Sequence, residues 1–184
     1  VARLVAFLRA INVGGHTVTM EALRRHFSAL GLKDVETFIA SGNVVFTSRD
    51  EDLAALERKI EKRLLAELGY EVATFLRADA EVARIARYLP FPEQQMRAAG
   101  SMNVGFLAEA PSAADKKVIL GLRTDNDSFH VNGREVYWMC VTGQGESKMS
   151  NVQFEKVVKR RVTFRGMRTI ERLAARLGAG EAGR

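Results

Sequence analysis

Apolar and polar positions follow two periods along the chain, and the changes of period mark its elements. "RLVAFLRAI" is a run of β-branched and large apolar residues, which predicts a first strand over about residues 3–10. Asn12-Val13-Gly14-Gly15-His16 breaks it. Met20, Leu23, Phe27 and Leu30 then recur at spacings of three and four, one apolar stripe on a helix that stops at Gly31. Val35 to Ile39 reads as a second strand, and Ser41-Gly42-Asn43 as a turn into a third, "VVFTS". Ser48 and Glu51 have capping-box spacing for the next helix. Its buried stripe is Leu53, Leu56, Ile60, Leu64 and Leu68, with Glu57, Arg58, Lys59, Glu61 and Lys62 on the wet side. Gly69 ends it and "YEVATFL" returns as a fourth strand. The order is β-α-β-β-α-β, the split βαβ arrangement of an antiparallel sheet backed by two helices.

The second half repeats much of this order. Asp79 to Leu89 has the spacing of a short linking helix that the prolines of "LPFPEQQ" stop. "MNVGFL" reads as a strand, and Ser112 opens a helix near "AADKKVILGL" with Asp115 in capping-box position. "DSFHVN", Gly133-Arg134 and "EVYWMCV" read as a hairpin whose second strand is apolar on both faces. Ser150 and Gln153 cap the helix "NVQFEKVVKR". A last helix buries Met167, Ile170, Leu173, Ala174 and Leu177, and the tail "GAGEAGR" is expected to be loose. The expected fold is therefore α+β. Two ferredoxin-like units with antiparallel or mixed sheets, the second less regular, span residues 1–78 and 79–184, and a basic C-terminal helix closes the chain.

Composition narrows the setting more than the chemistry. With 47% apolar and 27% charged residues, the 184-residue chain can bury a core. Its single cysteine, Cys140, excludes an internal disulfide and a Cys-based zinc cluster, which favours a cytoplasmic home. "VARLVAFLRAINVGG" is too short to span a bilayer, so no membrane partner is expected. The net charge is +6 and uneven: residues 148–176 hold nine Lys and Arg against Glu155 and Glu171. Such focusing suits a phosphate or a nucleic-acid backbone, although a solvated helix face has the same look.

No chemical motif is decisive. "INVGGH" lacks the Lys-Ser/Thr of a phosphate loop and the third glycine of a dinucleotide fingerprint, which leaves an anion nest or a tight turn. His16, His26 and His130 have no metal-ligand spacing, so no metal and no cofactor are expected. Ser41 lacks the surroundings of a hydrolase nucleophile. Cys140 lies in an apolar strand as a small filler. The element order is also that of RNA-recognition modules, which stack bases on aromatics of the central strands. Here Phe7 and Phe46 stand alone, and adjacent Tyr137 and Trp138 point to opposite faces, so recognition through the sheet is not expected.

"AFLRAINVGG", "MEALRRHFSALGLKDVETFIASGNVVF" and, later, "EVYWMCVTGQGESKMSN" with "FEK" closely resemble the bacterial family known as domain of unknown function 1697. The resemblance implies a duplicated ferredoxin-like α+β architecture, with no established activity or cofactor. The positions it carries over are Arg9, Asn12, Gly14, Gly15, Ser41, Gly42 and Asn43, then Ser147, Lys148, Ser150 and Asn151. The family's closing stretch, of Thr-x-Arg-Asn-Trp-x-Thr type, matches at Thr163, Arg165 and Thr169, with Gly166 and Met167 in place of Asn and Trp.

Three functions compete. Non-catalytic binding of an anionic ligand asks least of the residues and ranks first. The ligand would be a nucleotide, a phosphate-containing metabolite or a nucleic-acid backbone. Arg9, Lys148 and Arg165 would supply charge, and Asn12, Asn43 and Asn151 orientation. The second is an enzyme of unknown reaction class with a pocket between the units, using Ser41 or Ser147 with Lys148. The third is a structural or protein-interaction module. The expected assembly is a monomer or weak homodimer.

Overall fold

The computed structural model describes residues 1–11 and 15–181, without the side chains of residues 40, 41, 144 and 179–181. The chain divides into two compact units, Val1–Ala83 with Leu173–Arg184, and Arg84–Arg172.

The first unit runs β1 (Ala2–Leu8), α1 (Met20–Ser28), β2 (Lys33–Phe38), β3 (Ala40–Ser48), α2 (Leu53–Leu68) and β4 (Thr74–Ala78). Its strands are ordered β2-β3-β1-β4 and all neighbours pair antiparallel. Leu4, Ala6 and Leu8 of β1 face Leu23 and Phe27 of α1 and Leu56, Ile60 and Leu64 of α2, all buried in one core. The opposite face, with Val5, Phe7, Val45 and Phe75, is buried as well. β1 therefore reads as a continuous apolar run and shows no alternation.

The second unit repeats the topology with β5 (Ser101–Phe106), α5 (Ala113–Gly121), β6 (Asp127–Asn132), β7 (Glu135–Cys140), α6 (Asn151–Val158) and β8 (Thr163–Gly166). The order is β6-β7-β5-β8, again antiparallel. α3 (Asp79–Arg87) and α4 (Glu93–Ala98) precede it, a 3₁₀ turn (Gln144–Glu146) follows β7, and α7 (Met167–Glu181) follows β8. Two duplicated ferredoxin-like α+β units and a C-terminal helix describe the chain.

Several local expectations change. β8 and α4 have no counterpart in the sequence reading: β8 is only four residues long, and α4 follows directly on Pro92, a residue suited to a helix start. Asp52, not Ser48, caps α2 by accepting from the Ala55 N–H at 2.9 Å, and Ser48 ends β3. Ser41, Gly42 and Asn43 lie within β3. The reversal is tighter, pairing Phe38 with Ala40 across Ile39 at φ 64°. Glu57 and Glu61 do not simply face water. Their carboxylates accept the N–H groups of Leu76 and Thr74 at 2.9 Å, covering the edge strand β4. Glu155 of α6 does the same for Val162, just ahead of β8. α7 continues through residues 178–181 of the expected loose tail, and residues 182–184 lie outside the described ones. Its later half belongs to the first unit, where Arg3 donates to the Leu177 carbonyl at 3.2 Å and Arg176 meets Glu36 at 3.1 Å.

Candidate ligand-binding site

Of the front candidates, Asn12 and Gly14 and the Ser41 side chain lie outside the described residues. Gly15 is exposed at φ 84°, a backbone state that glycine adopts without strain. Arg9 continues β1, its N–H donating to the Ala73 carbonyl at 2.9 Å. Gly42 is buried. Asn43 is only 2% exposed, and its amide donates to the Phe38 carbonyl at 3.1 Å, tying the β2–β3 reversal together. All these residues belong to the first unit, and all the late candidates to the second.

The late segment closes around a carboxylate that sequence reasoning missed. Asp127, first residue of β6, is buried. Its Oδ1 accepts from the Trp138 indole at 2.8 Å, the Ser147 hydroxyl at 2.8 Å and the Cys140 thiol at 3.3 Å. Its Oδ2 accepts from Thr124 Oγ1 at 2.9 Å. Burial would raise its pKa, but the hydrogen bonds from Trp138, Ser147, Thr124 and Cys140 together hold it below the ordinary aspartate value. Burial, reinforced by the Asp127 charge against a bond from Ser101, pushes the Cys140 thiol up to about 11. The thiol is neutral near pH 7 and no nucleophile. Ser147 also accepts the Met149 N–H at 3.0 Å, so it anchors the turn after β7. A signal did exist: the Gly133-Arg134 turn sets a register that pairs Asp127 with Cys140.

Ser150 caps α6 through the Gln153 N–H, and Asn151 donates to Glu155 at 3.3 Å. Lys148 is exposed. Arg165 donates to Thr163 Oγ1 at 2.6 Å and to the Phe164 carbonyl at 2.9 Å, and burial lowers its pKa to about 10. Arg160 pairs with Asp115 at 2.7 Å. The basic stretch is thus divided. Arg160, Arg165 and Arg176 bond within their own units, while Lys148, Arg168 and Arg172 are exposed. Counted by unit, Lys and Arg equal Asp and Glu at 13 each in the first, and are 15 against 9 in the second. The whole net charge belongs to the second unit.

A cleft of about 700 Å³ opens in that unit, bounded by the end of α3, by α4, by the start of β5 and by the β8–α7 junction. Met96, Met102 and Met167 give it apolar walls, and Leu89 stands 59% exposed at its edge. Arg168 and Glu171 of α7 line it, as do Glu93 and Arg97, which pair with each other at 2.7 Å. Asn103 also lines it and is only 5% exposed. Its amide nitrogen reaches Ser101 Oγ at 3.5 Å, the limit of hydrogen-bond distance. Apart from Met167, which falls in the family's closing stretch, none of these cleft residues was marked by a sequence motif, because separate elements contribute them. Among the described residues, no three His, Cys, Asp or Glu side chains gather to hold a metal ion. Phe7, Phe46, Tyr137 and Trp138 are all buried, so no base can stack on them as they stand.

A family model described as "Protein of unknown function (DUF1697)" matches residues 1–137. The chain belongs to the DUF1697 family. Nothing among curated proteins matches this DUF1697 chain. Among solved structures it is similar to the conserved bacterial protein SP0830 from Streptococcus pneumoniae, at 23% identity and a TM-score of 0.72. That alignment covers 96% of this chain and 98% of the other. The likeness supports the fold. No helix among the described residues is long and apolar enough to cross a membrane.

Proposed function

We propose that this DUF1697 protein binds an anionic ligand without transforming it, and that the Arg84–Arg172 unit holds the ligand. The observation that carries the reading is the placement of the entire +6 excess in the unit whose cleft Arg168 lines. A fixed positive potential draws anions from beyond contact distance, and a cleft of this size suits a small molecule or a short chain segment. Lys148 and Asn151 remain candidates in the same unit for further contacts, and Arg9, Gly15 and Asn43 in the other. Asn12, Gly14, Ser41 and Gly42 stay candidates on the resemblance.

Calorimetry with inorganic phosphate, nucleotides, carboxylates, RNA and DNA at low and moderate salt tests this. Binding that weakens as salt rises, and that Arg168→Ala reduces, is the expected result. No binding to any of these probes even at low salt overturns the reading.

A further inference from the structure

We infer that the cleft receives the carboxyl terminus of a peptide ending in an apolar residue. Its carboxylate would lie on the first turn of α7 and its last side chain among Met96, Met102 and Met167. The inference rests on the anionic-ligand reading and narrows it to one chemistry.

The anion position comes first. α1, α2, α5 and α6 each begin with a side chain that accepts a first-turn N–H, from Thr19, Asp52, Ser112 and Ser150. α7 follows Gly166, which has no side chain to offer, and the space where its Cβ would stand is open. The first-turn amides of a helix need acceptors, and its positive end favours an anion. This first turn instead carries a cation, Arg168, with no acidic residue. Arg168 is exposed and has no ion pair among the described residues. A bound carboxylate answers both the amides and the guanidinium.

The second observation is independent of the helix. Asn103 pairs across the sheet with Gly166, so its side chain lies beside the junction from which α7 starts. The residue is 95% buried and lines the cleft; its amide nitrogen reaches Ser101 Oγ at 3.5 Å, and its oxygen accepts no hydrogen bond among the described residues and is not enclosed, so it is open to an incoming N–H. β5 also extends past the end of β8. Asn103 to Phe106 are paired on that side, whereas Ser101 and Met102 have no strand there. A peptide amide has the donor and acceptor that a buried carboxamide and a bare strand edge both require.

Charge and polarity choose among anions. Glu171 stands one turn into α7, and the Arg97 charge is answered by Glu93, so the cleft's own lining charges balance although the unit around it is positive. A phosphate dianion meets repulsion there, and a singly charged carboxylate meets less. Flexible, polarizable methionines suit aliphatic and aromatic ends of varied shape.

The test is fluorescence polarisation with labelled pools of hexapeptides, random at five positions and fixed at the last. Pools ending in Leu, Met or Phe should bind, and those ending in Asp or Lys should not. Amidation of the terminus should weaken binding about tenfold or more. Gly166→Asp, which supplies a competing carboxylate at an open site, should abolish binding while leaving the melting temperature unchanged or higher. Arg168→Ala should weaken binding about tenfold. Equal affinity of acid and amide overturns the inference, as does a Gly166→Asp protein that is folded and still binds. Free leucine binding as tightly as the peptides also overturns it. Phosphate or nucleotides binding where no peptide does overturns the inference and leaves the broader anion reading standing.

Discussion

The two units share a strand order and part at three corresponding places. At the hairpin between their second and third strands, the second unit turns through Gly133 at φ 59°, whereas the first forces Ile39, a β-branched residue, to φ 64°. At the start of their second strands, Asp34 in the first unit is exposed and accepts one bond, from Thr47 at 2.9 Å. Asp127 in the second is buried under four side-chain donors. In charge, the first unit is neutral and the second holds all of the +6. One topology thus supports a buried polar lock in one copy and an exposed contact in the other. Strand order follows from apolar patterning, and polar detail is free to diverge on top of it.

The largest expected effect comes from Trp138→Ala. It removes a fully buried ring, at about 3–5 kcal/mol, and takes a donor from Asp127. Amide exchange should lose protection mainly across residues 84–172. Equal loss in the first unit's strands would mean that the two do not open separately.

Next is the aspartate pair. Asp127→Asn should cost about 1–3 kcal/mol in urea unfolding, and Asp34→Asn under about 1 kcal/mol. Because the folded-state pKa of Asp127 is depressed, its contribution is present above the unfolded value near 4 and is lost as pH falls through the folded value. The wild-type protein should therefore lose stability below about pH 4 more steeply than Asp127→Asn. Identical acid profiles would remove the carboxylate from the account.

Cys140 tests the same lock from the alkaline side. Its raised pKa stabilises the fold below the unfolded thiol value near 8.5, and that benefit fades as pH rises toward about 11. Native protein at pH 8 should react with a disulfide reagent only at the rate of opening, and fast native labelling would show the thiol is not enclosed.

The turns give the smallest shifts. Gly133→Val should destabilise by about 1–2 kcal/mol because valine resists positive φ. Ile39→Gly should stabilise by less than about 1 kcal/mol, since relief of strain is partly offset by glycine's chain entropy. Opposite signs by thermal melting would mean that the two reversals are not equivalent.

Much of the fold was legible because periodicity is a local signal. The stripe Leu56, Ile60 and Leu64 and the caps Ser112 and Ser150 are where spacing put them. The misses have local causes too. β8 is too short for alternation to show, and the reversal at Ile39 uses a residue that no turn rule nominates. The candidate site was far less readable. Ser147 and Asn43 were visible as residues, but their hydrogen-bond partners lie on other elements or across a reversal. Asn103 carried no motif at all, and Arg168 was visible only as one of the nine cations of the late basic stretch.

By itself, then, the sequence determined the element order apart from α4 and β8, the duplication, the family and the basic late segment, since each depends on residue type and spacing along one chain. Only tertiary structure decided which cations bond within their units, that Asp127 is enclosed, and that a helix start without a capping side chain, the Asn103 amide and three methionines line one cleft. Those facts depend on residues of α4, β5, β8 and α7 meeting in space, and no linear period encodes that meeting.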